Sequence, residues 1–197
     1  MNETPLTELD AINVILINMS EAPISSLEGS LPLDALKARG VLEEVSVAAQ
    51  TRGWFWNREE VMLAPNGQGK IPVPPNTLEV KGLSGRGHVT ARAGFLYRIE
   101  PRNNGDTFTD PVNVELTLKL PFAHMPTSAR RYVALRAARI YQARELGDNV
   151  LMRNDSEEEL AAWATLRAED NANSRRNLKQ SLSVSMVTER YAVITGN

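Results

Sequence analysis

Gln50-Thr51-Arg52-Gly53-Trp54-Phe55-Trp56-Asn57-Arg58-Glu59-Glu60-Val61-Met62 is the stretch in which the chain changes its period. Upstream, apolar residues recur at helical spacing; downstream they alternate. A helix is expected to end at Arg52, with Gly53 taking the left-handed conformation that a Cβ opposes. Trp54, Phe55 and Trp56 are residues that favour strands, and Asn57 closes the aromatic run. Gly53, Trp54, Phe55, Trp56 and Asn57 are therefore read as a structural seam between a helical part and a β part.

On the N-terminal side, Thr7 is placed to cap a helix, with Asp10 as its partner three positions on. Leu9, Ile12, Ile15, Leu16 and Met19 follow at helical spacing and predict a helix ending near Ser20. Glu21 to Gly29 reads as a loop from its proline, serines and glycine. Ile24 and Leu27 predict that this loop lies against the core. A second helix is predicted from Leu33 to Arg52, with Ala35, Ala38, Leu42, Val45 and Ala49 as its apolar face. Gly40 inside it costs about 1 kcal/mol relative to alanine, and close approach of another helix is the expected reason. Residues 1–53 thus form the first half of an antiparallel helical bundle.

Residues 54–121 carry turns and short alternations. Val61 to Leu63, Leu78 to Lys81, His88 to Ala91 and Phe95 to Ile99 are strand candidates. Asn66-Gly67 predicts a tight hairpin turn. Ile71-Pro72-Val73-Pro74-Pro75 predicts an extended edge, because prolines remove ladder donors. Gly82 to Gly87 and Asn103 to Asp106 read as turns. The cleanest strand is Val112 to Leu120. Val112, Val114, Leu116, Leu118 and Leu120 lie on one face; Asn113, Glu115, Thr117 and Lys119 lie on the other. The region is expected to be one small antiparallel sheet or open barrel of about five or six strands, inserted between two helical halves.

Residues 122–178 return to helical spacing. Pro126 suits the first turn of a third helix that runs to about Leu146, with Gly147 as its stop. Tyr132, Val133, Ala137, Ile140 and Tyr141 form its apolar face. A fourth helix is predicted to start near Asp155 or Ser156, where Glu157, Glu158 and Glu159 complement the helix dipole. Leu160, Trp163, Ala164 and Ala168 are expected to face the core. Residues 179–197 form an extended C-terminal arm. Leu182, Val184 and Met186 alternate with Ser181, Ser183 and Ser185, and with Tyr191 they are the expected contacts of that arm with another chain. The fold class is therefore α+β: about four helices, a small antiparallel β domain and an arm.

Composition excludes several functions. A chain of 197 residues is long enough for one large domain or two small ones sharing a core. It has no cysteine, which removes disulfides, thiol catalysis, iron–sulfur clusters and Cys-ligated zinc. The formal net charge of -2 provides no basic field for nucleic acid. The acid-bearing start, Met1-Asn2-Glu3, is not that of a secretory leader, and no apolar run is long enough to span a bilayer. A soluble protein made in a cytosol, without membrane contact, is expected.

Sites for chemistry are weak. The Gly82 to Gly87 stretch lacks the lysine and helix of a phosphate loop. Glu59 and Glu60 are adjacent on a strand and point to opposite faces, so they do not form a catalytic pair. His88 and His124 have no recognisable partner for general base work. Arg130, Arg131, Arg136, Arg139 and Arg144 make the third helix basic. Contact with phosphate through them is one reading, that of a small nucleic-acid-binding module. Pairing with the acids, within or between chains, is favoured, and Arg130, Arg131, Arg136 and Arg139 are the expected interface residues. The Trp54-Phe55-Trp56 run could stack bases but suits a core or subunit interface better. No catalytic, cofactor or metal residue is expected, and the chain is not expected to be an enzyme.

Several pieces, in order, resemble the tail tubular protein A family of short-tailed phages, the head-to-tail adaptors or connectors. They are Ala11 to Leu16, Glu21-Ala22-Pro23-Ile24-Ser25-Ser26-Leu27-Glu28-Gly29, and Gln50 to Asn57. Leu63-Ala64-Pro65, Pro72, Pro75-Asn76, and Met125-Pro126 with the Ala-Arg-Arg-Tyr helix behind it complete the set. The resemblance spans about residues 10 to 145; the C-terminal third matches only in character. It implies a structural virion protein that forms a homo-oligomeric ring of about twelve subunits between portal protein and tail nozzle protein. DNA would pass through the lumen without sequence-specific binding during packaging, retention and ejection. The implied location is the virion tail, after synthesis in the host cytoplasm, and the implied fold is a helical bundle carrying a β domain.

Overall fold

Thr7 caps α1 (Glu8–Asn18) through a complete capping box: its hydroxyl accepts from the Asp10 N–H, and the Asp10 carboxylate accepts from the Thr7 N–H at 2.9 Å. This start belongs to a computed structural model that describes residues 6–83, 88–100, 104–146 and 157–174. Ala11, Ile12, Ile15 and Leu16 turn inward from α1. The loop that follows is pinned by Asn13, whose side-chain amide donates to the Ile24 carbonyl at 2.9 Å and accepts from the Ile24 N–H at 2.8 Å. Ile24 and Leu27 accordingly pack on the core, as their apolarity predicts.

α2 (Leu33–Gln50) follows, then β1 (Arg58–Leu63), β2 (Thr77–Gly82), β3 (His88–Arg92), β4 (Phe95–Ile99) and β5 (Val112–Leu118). A short 3-10 turn at Phe122–His124 leads to α3 (Thr127–Leu146), and residues 157–174 form α4. The architecture is α+β: four helices and two small antiparallel sheets among the described residues. One sheet has the order β1-β5-β2 and the other is the β3-β4 hairpin. The expected single sheet of five or six strands is thus two sheets, not closed into a barrel. β1 does not fold back through Asn66-Gly67 to make a hairpin. The Asn66 side chain instead accepts from the N–H groups of Gln68 and Lys70, closing a loop on itself, and β1 pairs with the distant β5.

Two hydrophobic clusters result. The larger joins α1, α2, α3 and α4 around Ile12, Ile15, Val45, Trp54, Val133 and Leu166. The smaller lies under the sheets, where Ile71, Val80, Leu96, Phe108, Val114 and Leu116 meet. Ile71 and Val73 are buried in it, so the proline-rich segment is a covering strap, bridged to Phe95 at Pro72.

Four further expectations need correction. α2 ends at Gln50, not Arg52, because Thr51 already caps it and Gly53 turns at φ 73°. Trp54, Phe55 and Trp56 are not a strand; they form a turn, and alternation begins only at Arg58. Thr117 is 1 % exposed instead of facing solvent, because the turn at Gly53 covers that end of β5. On α4, Leu160 is 64 % exposed and Ala164 and Ala168 are also outward; the helix instead buries Glu159, Ala162 and Leu166. That inward face pairs Glu159 with Arg136 and Arg139 beside the apolar contacts of Ala162, Trp163 and Leu166. Gly147, Asp155, Ser156, Ser84 to Gly87, Asn103 and the arm residues Leu182, Val184, Met186 and Tyr191 lie outside the described residues.

Gly40 also departs from expectation. A Cβ built there meets nothing within 4 Å, so no helix among the described residues approaches it. Gly40→Ala should therefore stabilise the isolated subunit by up to about 1 kcal/mol, the difference in helix propensity. A urea titration of dilute protein checks this, and a destabilised variant would reveal a contact at Gly40.

Candidate functional site at the helix and sheet seam

The last carbonyls of α2 and the end of β5 both need hydrogen-bond partners in a place that water does not reach. Asn57 and Gln50, 1 % and 0 % exposed, provide them. The Asn57 Nδ2 donates to the Gln50 carbonyl and to the Leu118 carbonyl, each at 2.9 Å. Its Oδ1 accepts from the Trp54 N–H at 2.7 Å, and its own N–H closes the turn onto the Trp54 carbonyl at 3.1 Å. The Leu118 N–H in turn donates to the Asn57 carbonyl. One side chain thus satisfies helix, turn and strand together.

Gln50 repeats the pattern one step along. Its Oε1 accepts from the Leu120 N–H at 2.7 Å, and its Nε2 donates to the Leu120 carbonyl at 3.1 Å and to the Ser46 hydroxyl at 3.0 Å. Gly53 makes this contact possible. Its φ of 73° suits glycine, and a Cβ there would stand 3.2 Å from the Thr117 hydroxyl and 3.3 Å from the Arg58 side chain. The Trp54 indole N–H donates to the Ala49 carbonyl at 2.8 Å, satisfying another residue in the last turn of α2.

α4 locks the seam from the other side. Trp163 meets Trp54 edge-to-face, with ring centroids 5.4 Å apart, and meets Tyr132 of α3 at 4.9 Å. The Arg52 guanidinium lies 4.9 Å over Trp163 and 5.7 Å over Trp54. The Phe55 N–H donates to Asp170 Oδ1 at 2.9 Å. Gly53, Trp54, Phe55 and Asn57 thus meet Thr117, Trp163, Asp170 and Gln50, while Trp56 packs, partly buried, against the larger hydrophobic cluster. Of these, Gln50 carried a readable signal: with Ser46 it puts polar atoms beside the apolar face of Leu42, Val45 and Ala49. Asp170 and Thr117 had none, because their neighbours Phe55 and Gly53 lie far off along the chain, 115 residues away in the first case.

The arginines of α3 are largely engaged within the chain. Arg136 Nη1 donates to Glu159 Oε1 at 2.7 Å and Arg139 Nε donates to Oε2. Arg144 makes a two-pronged pair with Glu44, at 2.7 and 2.8 Å, and Arg130 donates to the Leu6 carbonyl. Arg131 is exposed beside a shallow groove between α3 and α4. Burial pushes the Glu159 carboxyl up, but bonds and charge from Arg139 and Arg136 prevail and hold it below its ordinary value. His88 and His124 are both exposed. Among the described residues no group of three or more His, Cys, Asp or Glu could hold a metal, and no helix is long and apolar enough to cross a membrane.

Asn57→Ala should strip the buried Trp54 N–H and Leu118 carbonyl of their side-chain partner, while the Gln50 carbonyl keeps the Gly53 N–H. Two orphaned groups predict a loss of about 2–4 kcal/mol in urea denaturation; a loss under about 1 kcal/mol would mean that the turn is held by something else. The Glu159 pair has a pH signature. Its folded pKa is depressed, so its stabilisation is present above the unfolded value and fades as pH falls through the folded one. Melts taken from about pH 6 downward should show a shallower acid loss for Glu159→Gln than for the parent, with the variant less stable near neutrality. Parallel curves would remove Glu159 from the acid transition.

Comparison with known proteins identifies the family. The family model described as tail tubular protein matches residues 9–176, which include both the seam and α4. Tail tubular protein A of Klebsiella phage KP34 is 31% identical over 129 residues, covering 66% of this chain and 68% of that one. Among solved structures, a chain of the virion of a native gene transfer agent particle covers 77% of this chain and 88% of its own length, at 14% identity and a TM-score of 0.30. So loose a superposition carries no weight. The chain belongs to the tail tubular protein family and is a structural protein of the phage tail.

Proposed function

We propose that the protein is a ring-forming adaptor between the portal and the tail nozzle, through whose lumen the genome is packaged, retained and ejected. The observation that carries this reading is a stripe on α2 that the fold leaves uncovered. Leu33, Leu36 and Gly40 recur at helical spacing; the two leucines are 67% and 50% exposed, and Gly40 faces open space. The glycine costs helix stability without serving a contact among the described residues. A neighbouring backbone approaching in the assembled ring gives it a purpose. Ring closure needs a heterologous contact that repeats around an axis, with about twelve copies implied by the family resemblance.

The electrostatics fit a conduit. Arg136, Arg139 and Arg144 are neutralised by glutamates of the same chain, so α3 offers little grip on passing phosphates. The net charge of -2 suits a wall that DNA must slide past. The helical parts, 1–53 and 122–178, supply the lateral flanks in this reading, and the β part, 54–121, projects toward the nozzle. Arg130 and Arg131, at the start of α3, contribute to the interface. Synthesis takes place in the host cytoplasm, with incorporation into the virion tail and no contact with membrane.

Negative-stain microscopy of purified protein, alone and mixed with portal, tests the proposal. Rings or density capping the portal are expected. Leu36→Asp should abolish them while leaving the thermal melt of the subunit within a few degrees of the parent, because the residue is exposed. A dispersed monomer under both conditions, or salt-sensitive DNA binding by that monomer, would overturn the adaptor reading.

A further inference from the structure

The β part turns two faces outward. Val80, Val114 and Leu116 of the β1-β5-β2 sheet and Leu96 of the β3-β4 hairpin meet in the smaller hydrophobic cluster, with Val61 and Val89 packed against it. The pleat sends every second residue the other way. On the three-stranded sheet these are Glu60, Glu115 and Lys81 in one row and Met62 and Asn113 in the next, as the register requires. On the hairpin they are His88, Thr90, Arg92, Phe95, Tyr97 and Ile99. Both inner faces look into one cluster, so the outer faces look away from it on different sides.

The two faces carry opposite charge. On the sheet, Glu115 lies 3.8 Å from Arg58 and 4.0 Å from Lys81, and Lys81 also holds Glu79 at 3.2 Å. Glu60 is exposed and has no ion-pair partner among the described residues, which leaves this face acidic. Beside it Met62, 70% exposed, Leu83, 46% exposed, and Asn113 line a shallow hollow. On the hairpin, the Arg92 guanidinium lies 3.9 Å over the Tyr97 ring; it is exposed and has no carboxylate partner among the described residues. Lys70 lies 5.5 Å over Phe95, and its charge is taken up by Asp106 at 2.9 Å. A guanidinium framed by aromatic rings is the composition of a protein contact, whereas phosphate tracking needs several unpaired cations.

We infer that the outer face of the β3-β4 hairpin in one copy docks on the outer face of the β1-β5-β2 sheet in the next, with Arg92 facing Glu60 and Tyr97 seated toward Met62 and Leu83. One face carrying the complement of another on the same chain makes a head-to-tail contact, the heterologous kind that a ring needs. The inference rests on the ring reading and deepens it, adding a second lateral contact at the level of the β part. With strands roughly 5 Å apart and 20 Å long, each face spans at most roughly 300 Å², below the roughly 800 Å² per partner of a standard interface. The contact therefore supplements the α2 stripe and does not replace it.

Charge reversal in the full-length protein tests the contact. Arg92→Glu sets a carboxylate against Glu60, and Glu60→Arg sets a guanidinium against Arg92. Each is expected to lower the assembled fraction about tenfold in sedimentation, with the thermal melt within a few degrees of the parent because both residues are exposed. Combining Arg92→Glu with Glu60→Arg should restore assembly. Single variants that assemble like the parent, or a combined variant that does not recover, would overturn the inference. The sequence has no cysteine, so cross-linking has no background. Protein carrying Thr90→Cys is mixed with protein carrying Asn113→Cys and treated with a short bifunctional maleimide. A covalent dimer is expected in the mixture and not with either variant alone. Dimers from one variant alone, or none in the mixture, would overturn the inference. DNA binding by the parent that Arg92→Glu abolishes would assign the hairpin face to nucleic acid and overturn it too. Microscopy of the parent separates the two readings: rings without the mixed cross-link keep the adaptor and remove this contact, and the mixed cross-link without rings does the reverse.

Discussion

The structure depends on satisfying backbone polar groups where a helix and a strand end against each other in a dry place. Asn57 accepts from the Trp54 N–H and donates to the carbonyls of Gln50 and Leu118; Gln50 holds both backbone groups of Leu120. Unpaired, those groups would each cost about 1–3 kcal/mol, a large share of the stability of any domain. An apolar residue at position 57 fills the space but leaves the groups orphaned. Two neutral amides do what charges could not do cheaply, since an amide offers donor and acceptor together without the desolvation of an ion.

This arrangement has a mechanical consequence. The helical cluster and the sheet cluster are hydrophobically distinct, yet the link between them is a hydrogen-bonded weld, not a flexible linker. Gly53 permits backbone and Thr117 to approach closely, and α4 clasps the turn through Trp163 and Asp170. Such a join suits a structural protein of a phage tail.

Charge is distributed in keeping with this. Glu159 is buried to hold Arg136 and Arg139, while Glu44 holds Arg144 at the surface. The exposed pair adds little to stability. The buried one lies on the inward face of α4 with Ala162 and Leu166, while Leu160 is exposed. The same helix whose basic composition suggests nucleic acid therefore spends most of its charge on its own neighbours. On α2, Leu33 and Leu36 stand outward, surface more apt for protein than for phosphate.

The sequence by itself determined the local elements and the family. Thr7 and Asp10 announce a capping box, Val112 to Leu118 alternates as a strand must, and Gly53 marks a left-handed stop, because each rule acts over a few adjacent residues. The seam was legible as a place, since the change of period falls there. Its conformation was not: aromatic propensity favours a strand at Trp54 to Trp56, but the turn wins because Asn57 and Trp163 hold it from outside the run. Only the tertiary structure decided which strand pairs with β1, which face of α4 is inward, why Gln50 is buried and where Gly40 points. Those outcomes rest on partners tens of residues distant, and spacing along a chain contains no measure of separation in space.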